Sequence, residues 1–347
     1  MDNRKKSLLL LVLGGLSGIV FLTLLTASFY GYVLKKIGVE HAENTRTYRY
    51  HYVMIINNLD SQFWNDVYQS VREEAALHNA YVELKGRNQS SQYTAVDFMD
   101  MSIAAKVDGI LLEFTGEENL EERINEAAAK GIPVVTILND APSTDRKSYV
   151  GINSYELGQE YGNQILKILP QNYEKARVMV LLHDNSIDSN QSQIFNQINN
   201  RMITSRETGG RIKVEESKIP SGRAFEAEEI VRNLFQNPLG PPDIIVCMDE
   251  VDTEAVYQAV IDYNSVGETQ IIGYYKSRAS LEAVRKGTIA MTLCIDTSQM
   301  GKFSVQALTE SIHDGRTNSF YSVDLQFVTK ENAPDFMSSN QWSNYEK

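Results

Sequence analysis

Along most of the chain, short apolar runs alternate with segments in which apolar residues recur at helical spacing. The run 52–56 is rich in β-branched residues and ends at two asparagines, which is typical of a buried strand. The apolar residues after it fall at i, i+3, i+4, i+7 and i+11, along one face of a predicted helix; they are Trp64, Val67, Tyr68, Val71 and Ala75. The first two predicted elements are therefore a strand and an amphipathic helix.

The same alternation continues to the end of the chain and predicts an α/β fold. Further strands are predicted at 81–84, 107–112, 133–137, 177–182, 212–215, 243–248, 270–274, 289–293 and 322–328. Helices are predicted at 119–129, 155–168, 190–205, 225–236, 252–263 and 280–286. Because strands and helices alternate, we expect doubly wound parallel sheets covered on both faces, and the restart of the pattern near residue 177 predicts two such units.

The order of the elements also predicts where a ligand binds. In open parallel sheets, ligands bind beyond the carboxyl ends of the strands. Two units that face each other place both of these edges in one cleft, which is the usual location of a small-molecule site. The pattern therefore favours a two-domain protein with a binding cleft.

The amino-terminal pattern is different, because the 28 residues 7–34 carry no charge. About 20 apolar residues span a bilayer as a helix, whereas the apolar region of a cleavable signal has only about 7–15. We predict an uncleaved transmembrane anchor within residues 1–36, with a cleaved signal as the alternative, followed by a polar stalk at 37–47. The positive-inside rule favours a cytoplasmic amino terminus, a single pass through the cell membrane and an extracytoplasmic body.

The net charge of −12 is unevenly distributed. Five basic residues against Asp2 give residues 1–36 a charge of +4, which leaves −16 for the rest of the chain. An acidic body repels phosphate backbones, so we expect no nucleic-acid partner. A transcriptional repressor would need a basic helix-turn-helix ahead of the body, where this sequence has the apolar run instead.

The sequence contains no pattern typical of catalysis or of a cofactor. The nucleophile elbow, the phosphate-binding loop and the paired histidines of zinc peptidases are all missing. Cys247 and Cys294 lie inside apolar runs, are too few for a disulfide framework and lack zinc-ligand spacing. The five histidines are scattered. We therefore expect a binding protein and not an enzyme, with no cofactor and no metal site.

Seven segments are informative through their order and spacing. They are 57–64 (NNLDSQFW), 107–112 (VDGILL), 131–136 (GIPVVT), 149–158 (YVGINSYELG), 244–250 (IIVCMDE), 271–275 (IIGYY) and 328–332 (VTKEN). In this order they resemble the rim strands and lobe crossings of the type I periplasmic binding proteins, and most nearly those of the sugar-binding branch. The resemblance covers about residues 50–335, which is nearly all of the body.

The resemblance implies two lobes, each built from discontinuous parts of the chain. The first lobe would contain residues 48–152 plus 296–321, and the second 153–295 plus 322–347. The three crossings between the lobes would act as a hinge, so that the lobes close around a ligand.

In this family, aromatic side chains stack on the apolar faces of a sugar, while carboxylates, amides and an arginine bond its hydroxyls. The resemblance places Phe63 and Trp64 at the aromatic positions, although Trp64 also heads the apolar face of its helix and is alternatively a core residue. Asn57 and Asp60 lie on the same loop, where either alternatively caps the helix. The remaining candidate ligand-binding residues are Phe114, Asn139, Asn153, Asp249, Tyr274 and Tyr275.

Asn153 stands where the family usually has an aspartate and Asp249 where an asparagine is common, and both can still bond hydroxyls. Four further departures from the family pattern matter more. Leu138 and Tyr275 stand where ligand-binding aspartates are usual, Ser192 stands near the usual arginine, and Ile295 stands at the hinge glutamine. These replacements remove charge-assisted hydrogen bonds to a free monosaccharide. A more aromatic cleft then favours a larger or less polar ligand that is still carbohydrate-like, and the alternative is a degenerate cleft that binds little.

The sequence therefore predicts a membrane-anchored, extracytoplasmic protein whose lobes close on a sugar-like small molecule. A helical anchor can contact other helices within the bilayer, which favours a sensor that reports to a membrane partner such as a histidine kinase. The alternative is the substrate-binding component of a sugar-type ABC transporter, which would deliver its solute to an ABC permease.

Overall fold

The computed structural model describes residues 16–18, 20–26, 28–29, 47–87, 93–169, 173, 175–183, 189–205, 210–219 and 224–338. The chain divides into two units, Met1–Thr47 and Tyr48–Lys347. In the first unit, the described residues up to 29 are helical. No helix within the described ranges is long and apolar enough to cross a membrane. More than half of the predicted anchor and nearly all of the stalk lie outside the described residues, so both stay predictions.

Within the described part of Tyr48–Lys347, the strands form two six-stranded sheets. The first sheet contains β1 (Tyr50–Ile56), β2 (Ala80–Gly86), β3 (Gly109–Leu112), β4 (Val134–Ile137), β5 (Ser148–Gly151) and β11 (Phe320–Ser322). The second contains β6 (Ala176–His183), β7 (Ile212–Ile219), β8 (Ile244–Val246), β9 (Gln270–Tyr274), β10 (Met291–Ile295) and β12 (Leu325–Thr329). The helices are α1 (Gln62–Leu77), α2 (Ala95–Ala105), α3 (Leu120–Ala129), α4 (Ser154–Ile168), α5 (Ser189–Thr204), α6 (Ala224–Phe235), α7 (Glu250–Asp262), α8 (Arg278–Lys286), α9 (Thr297–Asp314) and α10 (Ala333–Ser338).

Both sheets have the strand order of a doubly wound fold. The first runs β11-β5-β4-β3-β1-β2 with every pair parallel. The second runs β12-β10-β9-β8-β6-β7 and is parallel except for β12, which is antiparallel to β10. The predicted α/β architecture of two lobes with parallel sheets is therefore confirmed.

One predicted strand, 322–328, is wrong as a single element. The chain leaves the first sheet after β11 and enters the second sheet at β12, so the predicted run spans two strands in different sheets. Between them, the backbone N–H of Val323 donates to the carbonyl of Gly151 at 2.8 Å. Apolar residues alternate without interruption through this crossing, so the pattern does not mark the change of sheet.

Three crossings connect the two sheets, and two of them lead directly into helices. The segment after β5 enters α4, and the side chain of Asn153 caps that helix by accepting from Tyr155 N and Glu156 N. The segment after β10 enters α9, which Asp296 caps by accepting from Gln299 N. Helix α9 then packs on α1 and on β3, β4 and β5 of the first sheet. The third crossing joins β11 to β12.

The central strands are buried along almost their whole length. In β1 the five residues from Tyr52 to Ile56 are at most 3% exposed, and every residue of β3 and β4 is buried. Strands covered by helices on both faces read as continuous apolar runs, which is why they stand out in the sequence. Cys247 and Cys294 are free and buried in the second sheet region, and burial raises the pKa of the Cys294 thiol to about 11.

Candidate functional site

A cavity of about 180 Å³ lies where the carboxyl ends of strands from both sheets meet. Its first-sheet side is formed by the loops after β1, β3 and β4 and by residues around the end of β5. Its second-sheet side is formed by the ends of β6, β8, β9 and β10. Drug-sized ligands occupy clefts of roughly 300–1,000 Å³, so this cavity suits a small solute. Its place at the carboxyl edges of two open sheets is the one that the element order predicts.

Seven of the ten candidate residues line this cavity. They are Asn57, Phe63, Trp64, Phe114, Asn139, Asp249 and Tyr274. Leu138 and Ile295, which replace polar residues of the family pattern, also line it. The structure thus brings most of the candidates together from distant parts of the chain, while their contact with a ligand stays a prediction.

The structure places the other three candidates elsewhere. Asp60 is exposed on the loop after β1, outside the cavity lining. Asn153 uses its side chain to cap α4. Tyr275 is fully buried, and its hydroxyl donates to the carboxylate of Asp66. Ser192, at the usual arginine position, is exposed and outside the lining as well.

Aromatic rings from both lobes form one side of the cavity. The rings of Phe63 and Trp64 contact each other edge to face with centroids 5.0 Å apart. Phe63 also lies edge-on to Tyr274, across the cleft, at 6.2 Å. Trp64 is only 4% exposed and also lines the cavity, so it is both a core residue and part of the lining. Aromatic faces of this kind pack against the apolar faces of a solute.

Glu113 is an acidic lining residue that is not among the ten candidates predicted from the sequence. It follows β3 directly, and its carboxylate accepts the backbone N–H of Asn57 at 2.7 Å. Burial raises the pKa of Glu113 to about 7, with the hydrogen bond from Asn57 acting in the opposite direction. Its position just beyond a rim strand is a signal in the sequence, because ligands bind at those strand ends.

His183 and two aspartates form a second polar group on the opposite wall. The Nε2 atom of His183 lies 3.2 Å from the Asp249 carboxylate and 3.1 Å from that of Asp252. Burial alone lowers the pKa of His183, but the two carboxylates outweigh it and raise the pKa to about 9. Burial and the neighbouring Asp252 raise the pKa of Asp249. A protonated His183 is therefore held between two aspartates.

These three side chains also form a set that could hold a metal ion, because their ligand atoms all lie within 4.8 Å of one another. The sequence predicts no metal site, because its five histidines are scattered and its two cysteines lack zinc-ligand spacing. Strand order brings His183 and the two aspartates together, because β6 and β8 are neighbours in the second sheet. A protonated imidazole places one N–H, at Nε2, between both carboxylates and so balances part of their charge without a metal.

Contacts between the lobes close one end of the cavity. Glu250, the first residue of α7, accepts the hydroxyl of Ser61 at 2.5 Å and the backbone N–H of Phe63 at 3.3 Å. Ser61 is the N-cap of α1, so Glu250 binds the amino-terminal end of a helix from the other lobe. Free N–H groups and the helix dipole both favour a carboxylate at that end. We call this pairing of Glu250 with Ser61 and Phe63 the interlobe latch.

A small cavity between two doubly wound lobes, joined by three crossings and closed by a latch, defines a two-lobe solute-binding protein. Sequence comparison agrees, because the family described as "Periplasmic binding protein domain" matches residues 52–316. The chain belongs to this family. A search of curated protein sequences finds no significant match.

This chain covers almost the whole length of several solved structures with the same fold. A chain of the XylFII–LytSN complex is 25% identical, with a TM-score of 0.69 over 81% of this chain and 98% of its own. GanP, a glucose-galactose binding protein from Geobacillus stearothermophilus, is 23% identical, with a TM-score of 0.72 over 82% and 99%. A myo-inositol binding protein from Caulobacter is 15% identical, with a TM-score of 0.71 over 84% and 96%. At the two lower identities the likeness shows the fold alone.

Proposed function

We propose that this protein is an extracytoplasmic receptor that closes its two lobes on a small polyhydroxylated solute of the carbohydrate type. It binds this solute and does not transform it. The observation that carries the proposal is the cavity between the carboxyl edges of the two sheets, which combines aromatic rings with polar side chains from both lobes.

The composition of the lining supports a polyhydroxylated solute. The rings of Phe63, Trp64 and Tyr274 provide apolar surfaces, and Asn57 and Asn139 provide amide donors and acceptors. A solute with apolar ring faces and a rim of hydroxyls matches both parts of this surface. Relatives of the same fold bind glucose, galactose and myo-inositol, as their names state.

The interlobe latch supports closure as the working motion. Glu250 and Ser61 belong to different lobes and meet only when the lobes are together. Burial raises the pKa of Glu250, while the hydrogen bonds from Ser61 and Phe63 lower it. A solute that contacts both walls stabilises the same closed arrangement, so binding and closure are coupled.

We propose sensing as the output, with a membrane partner such as a histidine kinase. Two observations support it: the apolar run 7–34, which as an anchor would place the receptor beside membrane proteins, and the 25% identical relative, which was solved in a complex with a second component. Transport is the rival output. A sugar-binding protein of an ABC transporter from Bacillus halodurans shares the fold at 21% identity and a TM-score of 0.70.

A thermal-shift screen tests the binding proposal. The full-length chain, purified in detergent, is heated with a panel of aldoses, ketoses, inositols, amino sugars and sugar phosphates. A solute at 100 times its Kd stabilises the folded state by about 2.7 kcal/mol, which gives a visible rise in the unfolding midpoint. A panel that leaves the midpoint unchanged throughout would contradict the proposal and favour a degenerate cleft.

Cross-linking in native membranes separates the two outputs. A photo-reactive residue introduced at an exposed surface position captures the neighbouring protein in the cell. Capture of a histidine kinase supports sensing, whereas capture of an ABC permease supports transport. Genes beside the coding sequence give an independent check, since permease and ATPase genes accompany transport, and kinase and response-regulator genes accompany sensing.

A further inference from the structure

The titratable groups that line the cavity are mostly acidic. Glu113 lies on the first-lobe wall, and Asp249 and Glu250 lie on the second-lobe wall. Among the described lining residues His183 is the one basic side chain, and neither lysine nor arginine is present. With these groups ionised, the cavity lining carries three negative charges against one positive charge.

The positive charge of His183 is already committed to partners on its own lobe. Its Nε2 atom pairs with Asp249 at 3.2 Å and with Asp252 at 3.1 Å, so one cation is shared by two carboxylates. The Asp252 side chain is 1% exposed and lies outside the cavity lining, which contains His183 and Asp249. Asp249 also caps α7 by accepting the backbone N–H of Asp252 at 2.8 Å. With all three groups ionised, the cluster has a net charge of −1.

The remaining two carboxylates differ in how they are satisfied. Glu250 is held by the hydroxyl and backbone donors of the interlobe latch. Glu113 accepts the backbone N–H of Asn57 and a hydrogen bond from the Trp64 side chain. The carboxylate of Asp249 repels Glu113 across the cleft, while His183 attracts it. Each wall thus presents a carboxylate to the other, with no lysine or arginine of the described lining between them.

We propose that the cavity selects a solute that carries a protonated amine beside its hydroxyls, with an amino sugar as the chemical type, and that Glu113 and Asp249 hold the ammonium group from opposite lobes. The inference rests on the proposed binding function and specifies its ligand. An ammonium group donates up to three hydrogen bonds, and those to carboxylates are about twice as strong as neutral ones.

The same arrangement explains how charge would promote closure. While no cationic solute is bound, the carboxylates of Glu113 and Asp249 oppose the approach of the lobes. A cation between them converts this repulsion into attraction to both walls, and low-dielectric surroundings strengthen it. The unshared negative charge also rejects phosphorylated or acidic sugars, since neither wall offers them a free cation.

Two other occupants fit the same chemistry and are separated by experiment. A divalent cation held by His183, Asp249 and Asp252 would bind hydroxyls of a neutral sugar. Protonated carboxyl groups would instead donate to a neutral sugar directly. The first requires a metal, and the second removes any preference for an amine.

Isothermal titration calorimetry on the full-length chain tests the inference. The probes are D-glucosamine and D-galactosamine, the parent sugars D-glucose and D-galactose, and the two N-acetylated amino sugars, each with and without a chelator. The free amines should bind at least about tenfold tighter than the neutral partners, because a hydrogen bond to a charged group contributes about 1.5–3 kcal/mol.

A charge-neutral variant then identifies the carboxylate. Glu113→Gln keeps the size of the side chain and its acceptor for Asn57, and it should remove most of the preference for the amine. Glu118→Gln, an exposed acid in the same loop region, is the matched control and should leave the preference unchanged.

Each contrary result has a distinct meaning. Neutral sugars that bind as tightly as their amines, or a preference that persists in Glu113→Gln, would overturn the inference and leave the proposed function standing. Binding that is lost with chelator would overturn it in favour of a metal site. If neither these probes nor the wider thermal-shift panel bind, the proposed function fails and the inference fails with it.

Discussion

At the scale of single residues, the chemistry of the cavity depends on how Glu113 and His183 are buried. Burial disfavours the ionised form of Glu113, whereas the two aspartates favour the ionised form of His183. Both pKa values lie above those of the free side chains. The two groups therefore make the stability of the ligand-free protein dependent on pH.

We expect the free energy of unfolding to contain a component that falls as pH rises from about 4.5 to 7. Glu113 has a pKa of about 7 in the folded chain against 4.5 when unfolded, so the folded state binds more protons in this window. Urea unfolding at a series of pH values, for wild type and Glu113→Gln, isolates this component as a difference. The two proteins should diverge between these pH values, and parallel curves would show that the pKa of Glu113 is not raised in the folded chain.

His183 adds a second component in a higher window. Its pKa is about 9 in the folded chain against 6.5 when unfolded, so its contribution to stability is complete below about 6.5 and is lost as pH rises towards 9. The charge of Glu113 contributes to this raised pKa, so Glu113→Gln should move the loss of the His183 component to lower pH in the same titration.

The residues of the site were only partly predictable from the sequence. Phe63, Trp64 and Asp249 follow rim strands and match family positions, and they do line the cavity. Tyr275 also follows a rim strand, but its ring enters the core, with a backbone φ of +64°. The side to which a residue after a strand turns depends on this local backbone geometry, which neither composition nor spacing reveals.

At the scale of elements, the interlobe latch joins the first turns of α1 and α7. Replacing Glu250 by Ala removes the acceptor for Ser61 and for the N–H of Phe63. We expect the affinity for the solute to fall by about three- to tenfold, because the closed form loses both hydrogen bonds that the Glu250 carboxylate accepts. Calorimetric titration with a solute identified by the thermal-shift screen measures this loss of affinity.

Glu254→Ala is the matched control for that variant. Glu254 is exposed one turn further along α7, so its removal takes away the same charge without touching the latch. Equal losses of affinity in the two variants would mean that net charge, and not the latch, determines the effect.

Helices α4 and α5 approach closely at two glycines. A Cβ added at Gly158 would lie 2.5 Å from Gln197 Cβ and 2.7 Å from the backbone oxygen of Ile194. We expect Gly158→Ala to lower the free energy of unfolding by about 1–3 kcal/mol, because overpacking forces the helices apart. Urea unfolding measures this change in the free energy of unfolding. Tyr155 is exposed on the same helix, so Tyr155→Ala is a control that should change stability little. An unchanged stability in Gly158→Ala would exclude the close approach.

Some elements have no clear pattern in the sequence. Helix α9 buries Gly301, Ser304 and Ala307 together with larger apolar residues, so its packed face does not read as an apolar stripe. Close contact with α1 at Gly301 requires small residues there. Strands with continuous apolar runs, such as β1 and β8, were predictable because burial on both faces demands them.

At the scale of the whole molecule, two lobes built from discontinuous segments follow from three crossings of the chain. The alternation of strands and helices is sufficient to predict two doubly wound units. The antiparallel pairing of β12 and the change of sheet after β11 are long-range features with no local signal. The predicted membrane anchor and the membrane partner concern the amino-terminal unit and remain proposals.

The most direct test of two lobes that close on a solute is a distance between them. Leu77 on α1 and Leu239 in the second lobe are 77% and 81% exposed, and cysteines introduced there carry spin labels. Both native cysteines are buried, so they should not react. Double electron–electron resonance on the full-length chain should show a shift of the interlobe distance to one narrow population when the solute that raises the unfolding midpoint most is added. An unchanged distance distribution in the presence of bound solute would contradict the account.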